Sequence, residues 1–286
     1  MNIIIIALGT IPNFLDDCIE QIKFTQKNPT IHIIKNETSN YKNNDCIIVD
    51  VENIPASQKH LNFIKESELI NKNFRDYFWR YSSERLYVID DYLQMQNLKD
   101  VIHIETDVLL YQDLEIIFSI MHNFDFACVR DSDTRVIGSI IYIKDKNISG
   151  KITSIANNYI NENDMIILNH VAKKLENVFY LPTGNKKFNK KNLKFIFDGA
   201  CIGQFVGGID PRNEPKNLMK YFHKIKKIFT KNNIISFINK ESNIDVSKWE
   251  IKWIKNKPYK KCNDELIPIV NLHIHSKNLK KFMKME

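Results

Sequence analysis

An unbroken apolar segment near the amino terminus is the feature that most constrains the fold. Residues 2–8 read NIIIIAL and are followed directly by Gly9-Thr10. A strand with apolar side chains on both faces is typical of a parallel sheet covered by helices on both sides. The segment is also far shorter than the roughly 20 residues that a membrane-spanning helix needs. The chain is therefore expected to fold around a buried parallel strand.

The segments that follow alternate between strand and helix patterns. Strands are predicted at 30–34, 46–49, 101–104, 126–129 and 137–143, and helices at 12–24, 56–72, 82–96 and 114–122. This alternation indicates βαβ units and a mainly parallel, Rossmann-like α/β sheet flanked by helices. Because ligands bind beyond the carboxyl ends of such strands, Gly9-Thr10 and Glu105-Thr106-Asp107 are expected at the site.

The last third of the chain has a different pattern. Residues 213–240 are basic with a helical apolar stripe, and strands are predicted at 249–254 and 268–275. No linker rich in Gly, Ser or Pro separates this part from the rest. We therefore expect a catalytic core over 1–212 and a C-terminal helical and strand extension over 213–286 that closes the site without forming an independent domain.

Composition narrows the classes of function. The 41 Lys and Arg against 34 Asp and Glu give a net charge of +7, which favours an anionic ligand, although a solvated lysine-rich surface would look the same. The five cysteines are widely spaced and form no CxxC pair, as expected in the cytoplasm or another reducing compartment. No transmembrane segment is evident. The phosphate loop of NTPases and the GxGxxG fingerprint are absent, which argues against ordinary NTPases and dehydrogenases.

Two groups of residues could form a metal site. Glu105 and Asp107 follow a predicted strand, and such a carboxylate pair can bind a divalent cation, although helix-capping acids in a turn would look alike. Near the other end, strand alternation places His273 and His275 on the same side, with Lys277 close by. The alternative is that these histidines lie at the surface or form hydrogen bonds and bind no metal. Hard oxygen ligands with an imidazole favour Mn²⁺ (or Mg²⁺), while zinc is also compatible.

A glycine-rich stretch marks the region of residues 197–208. It holds four of the eight glycines of the chain. Glycines permit close approach of the backbone to a ligand, so we interpret the stretch as a ligand-facing loop, with Asp198 and Gln204 as polar contacts. A packing turn is the alternative. Trp79, Tyr81 and Tyr111 could stack on a base or sugar, although buried aromatic residues are commoner.

The ordered set of motifs resembles the GT-A-fold, nucleotide-sugar-dependent glycosyltransferases of the glycogenin-like kind. The turn Leu8-Gly9-Thr10 matches the nucleotide-cradling turn, Arg85 the basic helix residue, and Glu105-Thr106-Asp107 the Asp-x-Asp metal motif. Later motifs are matched by three further segments: Gly138-Ser139, Asp164 to Asn169, and His273 to Lys277. The departures are Glu105 for the first Asp, Met165 for a Gln, no Asn before Gly138-Ser139, and a short spacing from His to Lys.

The resemblance implies a metal-dependent transfer of a sugar from a nucleotide diphosphate donor, with UDP favoured, to a glycan or protein acceptor. Asp164 and Asp198 would be catalytic residues, and the glycine-rich stretch at 197–208 would face the sugar or the acceptor. Donor contacts would come from Leu8, Gly9, Thr10, Arg85, Glu105, Thr106, Gly138, Ser139, Gln204 and Lys277. The Mn²⁺ (or Mg²⁺) ligands would be Glu105, Asp107, His273 and His275, with the choice between the two histidines open.

Two other functions are compatible with parts of the sequence. A sugar-nucleotide pyrophosphorylase shares a similar sheet but needs a glycine-rich, basic loop after the first strand, where this chain has Leu8-Gly9-Thr10-Ile11-Pro12. A basic nucleic-acid-binding protein would use the net charge and residues 186–194, but that stretch lacks a stacking motif, so no nucleic-acid partner is expected. The sugar, the stereochemical outcome and a homodimer are left open.

Overall fold

The computed structural model describes residues 1–71, 76–184, 194–210 and 244–283. The strands are β1 (Asn2–Ala7), β2 (Thr30–Lys35), β3 (Ile47–Asp50), β4 (Val101–Ile104), β5 (Val108–Leu110), β6 (Phe126–Arg130), β7 (Val136–Ile143), β8 (Val178–Leu181), β9 (Glu250–Ile254), β10 (Lys257–Cys262), β11 (Glu265–Pro268) and β12 (Asn271–His273). The helices are α1 (Leu15–Thr25), α2 (Gln58–Glu66), α3 (Phe78–Gln96), α4 (Glu115–Met121), α5 (Lys146–Ala156), α6 (Asp164–Lys174) and α7 (Cys201–Gly207).

A seven-stranded sheet with the order β3-β2-β1-β4-β7-β6-β8 forms the centre of the molecule. All of its neighbouring pairs are parallel except those made by β7, which runs antiparallel to β4 and β6. Alternate residues of β1 enter different cores, since Ile3 and Ile5 pack in one apolar cluster and Ile4 in the other. The prediction of an α/β, mainly parallel sheet buried on both faces is confirmed.

The C-terminal strands are joined to this framework by a small second sheet. β12 pairs antiparallel with β5, and His273 lies opposite Val108. Leu272 and Ile274 are fully buried on either side of His273. β5 was not predicted, because three consecutive apolar residues after a turn are too few to show the alternation that indicates a strand. This pairing brings the end of the chain next to Asp107.

Several predicted boundaries are wrong, for local physical reasons. α3 begins at Phe78 rather than at Ser82, directly after Asp76 and Tyr77, whose φ angles of 55° and 62° are left-handed. α5 was not predicted. The predicted strand at 268–275 is split: β11 ends at Pro268, and β12 covers only Asn271–His273.

The predicted helix at 213–240 and the predicted boundary after residue 212 lie outside the described residues. The division into a core and an extension therefore stays a prediction. In the described ranges, no helix is both long enough and apolar enough to cross a membrane. All five cysteines are free thiols.

Candidate active site

A cleft of about 590 Å³ opens at the carboxyl ends of β1 and β4, where parallel sheets bind their ligands. The cleft contains seven residues predicted to contact the donor: Leu8, Thr10, Arg85, Glu105, Thr106, Gln204 and Lys277. It also contains all four predicted metal ligands: Glu105, Asp107, His273 and His275. Residues from both ends of the chain therefore meet at one place.

Two carboxylates and an imidazole form the centre of the cleft floor. The His273 Nε2 atom lies 3.1 Å from Asp107 Oδ2 and 3.3 Å from Glu105 Oε2. Each of the three residues offers one potential ligand atom, and these three atoms lie within 4.8 Å of one another. The rings of His273 and His275 are adjacent, with centroids 4.2 Å apart, but His275 does not join this cluster. The group could therefore hold a metal ion through His273.

The surroundings of His273 match what a metal ligand requires. Its Nδ1 atom lies 2.6 Å from the carbonyl oxygen of Gly199, which can accept the Nδ1–H and leave Nε2 directed at the carboxylates. Burial lowers the pKa of His273, but Asp107 and Glu105 outweigh it and raise the pKa to about 9. Two carboxylates and one imidazole suit Mn²⁺ or Mg²⁺ better than a sulfur-seeking metal.

Arg85 forms a second cluster beside the first. Its guanidinium contacts Glu105 through Nη1 and Asp164 through Nη2. Burial raises the pKa of Asp164, and Arg85 offsets this only in part. Gly138 does not line the cleft; a Cβ at this position would overlap Arg85 Nη2, so the glycine makes room for the guanidinium. Asp164 is likewise placed behind Arg85 and outside the cleft lining.

Lys277 contacts the cluster of Glu105, Asp107 and His273 through Asp107. Its Nζ atom contacts Asp107 Oδ2, and its side chain is 29% exposed. Burial raises the pKa of Asp107, but His273 and Lys277 outweigh it and hold the pKa well below its usual value. Lys277 has a φ of 61°, a left-handed conformation that non-glycine residues adopt at some cost.

The glycine-rich stretch is a helix start rather than a loop, and this changes the position of Asp198. Its buried carboxylate accepts hydrogen bonds from the backbone N–H groups of Ile202, Gly203 and His273, at 2.9, 2.7 and 2.9 Å. Ser139 is also buried and donates its hydroxyl to the carbonyl oxygen of Asp198. The structure brings neither side chain into the cleft lining. Asp198 instead fixes α7 and the backbone of His273 to each other.

The turn after β1 needs its glycine. Gly9 has a φ of 75°, and a Cβ there would lie 2.7 Å from the Tyr81 ring. Its N–H donates to Asn36 Oδ1 at 2.7 Å, so it does not point freely into the cleft. Tyr81 lines the cleft, whereas Tyr111 is buried and donates its hydroxyl to the carbonyl oxygen of Phe282.

Phe14 and Phe78 also line the cleft and were missed by sequence reasoning. The signal for Phe78 was the high density of aromatic residues at 74–81 in the sequence. Such density usually indicates a buried core.

Polar atoms without partners gather where the tail meets α7. Gln204 Oε1, His275 Nε2 and Ser276 Oγ are buried and make no hydrogen bond within the part of the chain that the structure describes. Two of these residues, Gln204 and His275, line the cleft. Because unsatisfied buried polar groups are costly, this end of the cleft is suited to a ligand with many hydrogen-bonding groups.

No protein-family model matches the chain, and no curated protein matches its sequence. Solved structures do match it. An active-site mutant of LgtC superposes with a TM-score of 0.50 and 12% identity, over 83% of this chain and 85% of the other; another LgtC structure is described as a galactosyltransferase in complex with donor and acceptor sugar analogs. Mouse xyloside xylosyltransferase 1 matches with a TM-score of 0.43 and 10% identity, over 64% and 86%.

The apo form of the glycosyltransferase GlyE of Streptococcus pneumoniae TIGR4 matches with a TM-score of 0.47 and 11% identity, over 100% of this chain and 60% of the other. The similarity to LgtC, which extends over most of both chains, shows a common fold. The chain thus has the GT-A fold that the order of its motifs predicted. The glycogenin-like subtype stays a prediction.

Proposed function

We propose that the protein is a metal-dependent glycosyltransferase that uses a nucleotide diphosphate sugar. The observation that carries this proposal is the position of the Glu105, Asp107 and His273 cluster on the floor of the main cleft of a GT-A fold. Two cationic side chains, Arg85 and Lys277, contact its carboxylates. A site with this charge pattern suits a divalent cation together with an anionic phosphate ligand.

Glu105, Asp107 and His273 are the proposed metal ligands, and Mn²⁺ is the favoured ion. When bound, the ion would neutralise charge on the diphosphate leaving group. His273 is chosen over His275 because its Nε2 atom lies close to both carboxylates and its other nitrogen faces the carbonyl oxygen of Gly199. The sequence left the choice between His273 and His275 open, and we propose His273.

The remaining residues have separate proposed roles. Lys277 would turn from Asp107 to the diphosphate, and the Leu8-Gly9-Thr10 turn with Tyr81 would hold the nucleoside. Asp164 is the proposed carboxylate near the sugar, with Arg85 holding it in place. Gln204 and His275 would receive hydrogen bonds from the sugar or the acceptor. Asp198 is assigned a positioning role because its oxygens are already used by backbone N–H groups.

The resemblance to glycogenin-like enzymes favours UDP as the nucleotide and a glycan or protein as the acceptor. The test is a thermal-shift screen of UDP, GDP and CMP, each with and without Mn²⁺. A single nucleotide should stabilise the protein only with the metal, by about 2.7 kcal/mol at 100 times its Kd.

Asp107→Asn should abolish this effect and lower sugar transfer at least about 100-fold. Asp264→Asn, which changes an exposed carboxylate in a turn, is the matched control and should behave like the wild type. Full transfer activity in a folded Asp107→Asn protein would refute the assignment.

A further inference from the structure

The hairpin of β9 and β10 differs in charge from the rest of the chain. Residues 251–262 contain five lysines and no acidic residue, in a protein whose net charge is +7. The nearest acid on β9, Glu250, contacts the Nζ atoms of Lys252 and Lys261 at 2.7 and 3.8 Å. No carboxylate within the described ranges pairs with Lys255 or Lys257, so the positive charge is least compensated near the turn.

Two large apolar side chains are exposed at this same turn. Trp253 is 42% exposed and Ile254 is 40% exposed. They are followed by Lys255 and Asn256, whose φ angles of 47° and 55° give a tight two-residue turn. We call residues 252–257 the hairpin tip; it carries an exposed aromatic and an exposed aliphatic side chain together with three lysines.

The tip is held firmly by the strands behind it. β10 pairs with β9 on one side and with β11 on the other. The Trp253 ring meets the buried Tyr111 edge-on, with centroids 5.8 Å apart, and Lys260 covers the Trp249 ring at 3.8 Å. The exposure of Trp253 and Ile254 is therefore a property of an ordered element, and binding there would need little further ordering of the backbone.

We propose that the hairpin tip docks on a bilayer containing anionic phospholipids. Trp253 and Ile254 would enter the boundary between headgroups and acyl chains, where amphipathic aromatic rings are favoured. Lys252, Lys255 and Lys257 would lie against the lipid phosphates. Each lysine near such a surface contributes about 1 kcal/mol, or about fivefold in affinity.

The apolar pair distinguishes this partner from other polyanions. A nucleic acid would use the lysines and could stack a base on Trp253, but an aliphatic side chain such as Ile254 offers it no stacking surface. A bilayer uses both parts of the tip, because the apolar side chains insert while the lysines stay at the headgroups. This proposal does not depend on the proposed enzymatic function.

The experiment measures binding of the full chain to vesicles, by sedimentation and by quenching of tryptophan fluorescence with brominated lipid. Vesicles of phosphatidylcholine with about a third phosphatidylglycerol should bind, and pure phosphatidylcholine should bind far less. Lys255→Glu/Lys257→Glu should weaken binding at least about 25-fold. Its matched control is Lys65→Glu/Lys151→Glu, which makes the same change in net charge at exposed lysines of α2 and the α5 helix.

Ile254→Ser tests insertion separately from charge, and it leaves the Trp253–Tyr111 contact in place. It should weaken vesicle binding several-fold and reduce bromolipid quenching, while Leu61→Ser at a similarly exposed position of α2 should do neither. Equal losses in the control variants would overturn the proposal. So would failure of the wild-type chain to bind the anionic vesicles, or hairpin-dependent binding to an oligonucleotide alone.

Discussion

Two ion-pair clusters lie side by side on the floor of the cleft, and they are built differently. Arg85 contacts Glu105 and Asp164 and is buried, and Gly138 makes room for its guanidinium. Lys277 pairs with Asp107, lies 5.8 Å from the centre of the Phe14 ring, and remains partly exposed. The Arg85 cluster consists of residues on helices and at a strand end of the central sheet. The Lys277 cluster joins Lys277 to Asp107, which are 170 positions apart in the chain.

The difference indicates which cation can respond to a ligand. Moving Arg85 would leave the buried carboxylate of Asp164 and the half-buried carboxylate of Glu105 without their counter-ion, which is strongly unfavourable. Moving Lys277 would free Asp107, whose carboxylate still has His273 beside it and could accept a metal ion. Arg85 is therefore expected to maintain the geometry of Glu105 and Asp164, and Lys277 to exchange partners during binding.

The largest expected effect on stability comes from Arg85→Met. Glu105 and Asp164 would lose a buried partner, so the free energy of unfolding should fall by about 3–5 kcal/mol. Urea denaturation measures this directly. Lys23→Met on α1 is the control, because its ion pair with Asp45 is exposed at both ends, with side chains 42% and 61% exposed; its cost should stay below about 1 kcal/mol. Equal small losses in both variants would remove the distinction between the clusters.

Lys277→Met should give the opposite profile. The free energy of unfolding should change by less than about 1 kcal/mol, whereas nucleotide affinity in the presence of Mn²⁺ should fall about 10- to 100-fold through loss of a charge-assisted contact. Isothermal titration with UDP and Mn²⁺ measures the loss. Lys280→Met, at an exposed position a few residues further on, is the control. Unchanged affinity in Lys277→Met would mean that this lysine also serves only the fold.

The two clusters were not equally visible in the sequence. Each residue of the Arg85 cluster lies in or just after an element with a clear pattern, such as β4 before Glu105 and α6 at Asp164. The pairing of Arg85 with Asp164 was still missed, because a sequence motif shows that a residue is present and not which partner it faces. Gly138 likewise matched a donor motif, although its structural role is to make room for Arg85.

The cluster around Asp107 was harder to predict, because it depends on a strand pairing that local sequence patterns do not reveal. His273 reaches Asp107 because β12 pairs with β5, a three-residue strand with no periodic signal. The motif order still predicted a metal ligand beside Asp107 from His273 or His275, and a diphosphate contact from Lys277. Asp198 was predicted to contact the ligand because the glycine-rich sequence was interpreted as a loop. In the structure its carboxylate accepts backbone N–H groups outside the cleft lining, the glycines of α7 allow close packing, and Gly203 lies against the backbone of His273. The catalytic role of Asp198 stays a prediction.

The smallest predicted effect concerns a third buried cluster, on the face of α3 that packs against α2. His60 Nδ1 lies 2.7 Å from Asp91 Oδ2, and its Nε2 lies 3.4 Å from Glu84 Oε1. Burial lowers the pKa of His60, but hydrogen bonds to Asp91 and Glu84 outweigh it and raise the pKa to about 9. The stabilisation is therefore complete below the unfolded-state pKa of about 6.5 and is lost as the pH rises through about 9.

His60→Gln should remove this pH dependence. Between about pH 6 and about pH 9.5, the wild type should lose on the order of 1–2 kcal/mol more stability than the variant, because the folded imidazolium gives up its proton. Urea denaturation at the two pH values measures the difference, and a variant that loses stability as steeply as the wild type would contradict it. At pH 7 the variant should bind UDP and Mn²⁺ with unchanged affinity. A fall in affinity would show that α3 transmits changes from its α2 face to Arg85, and the rigidity assigned to the Arg85 cluster would then be wrong.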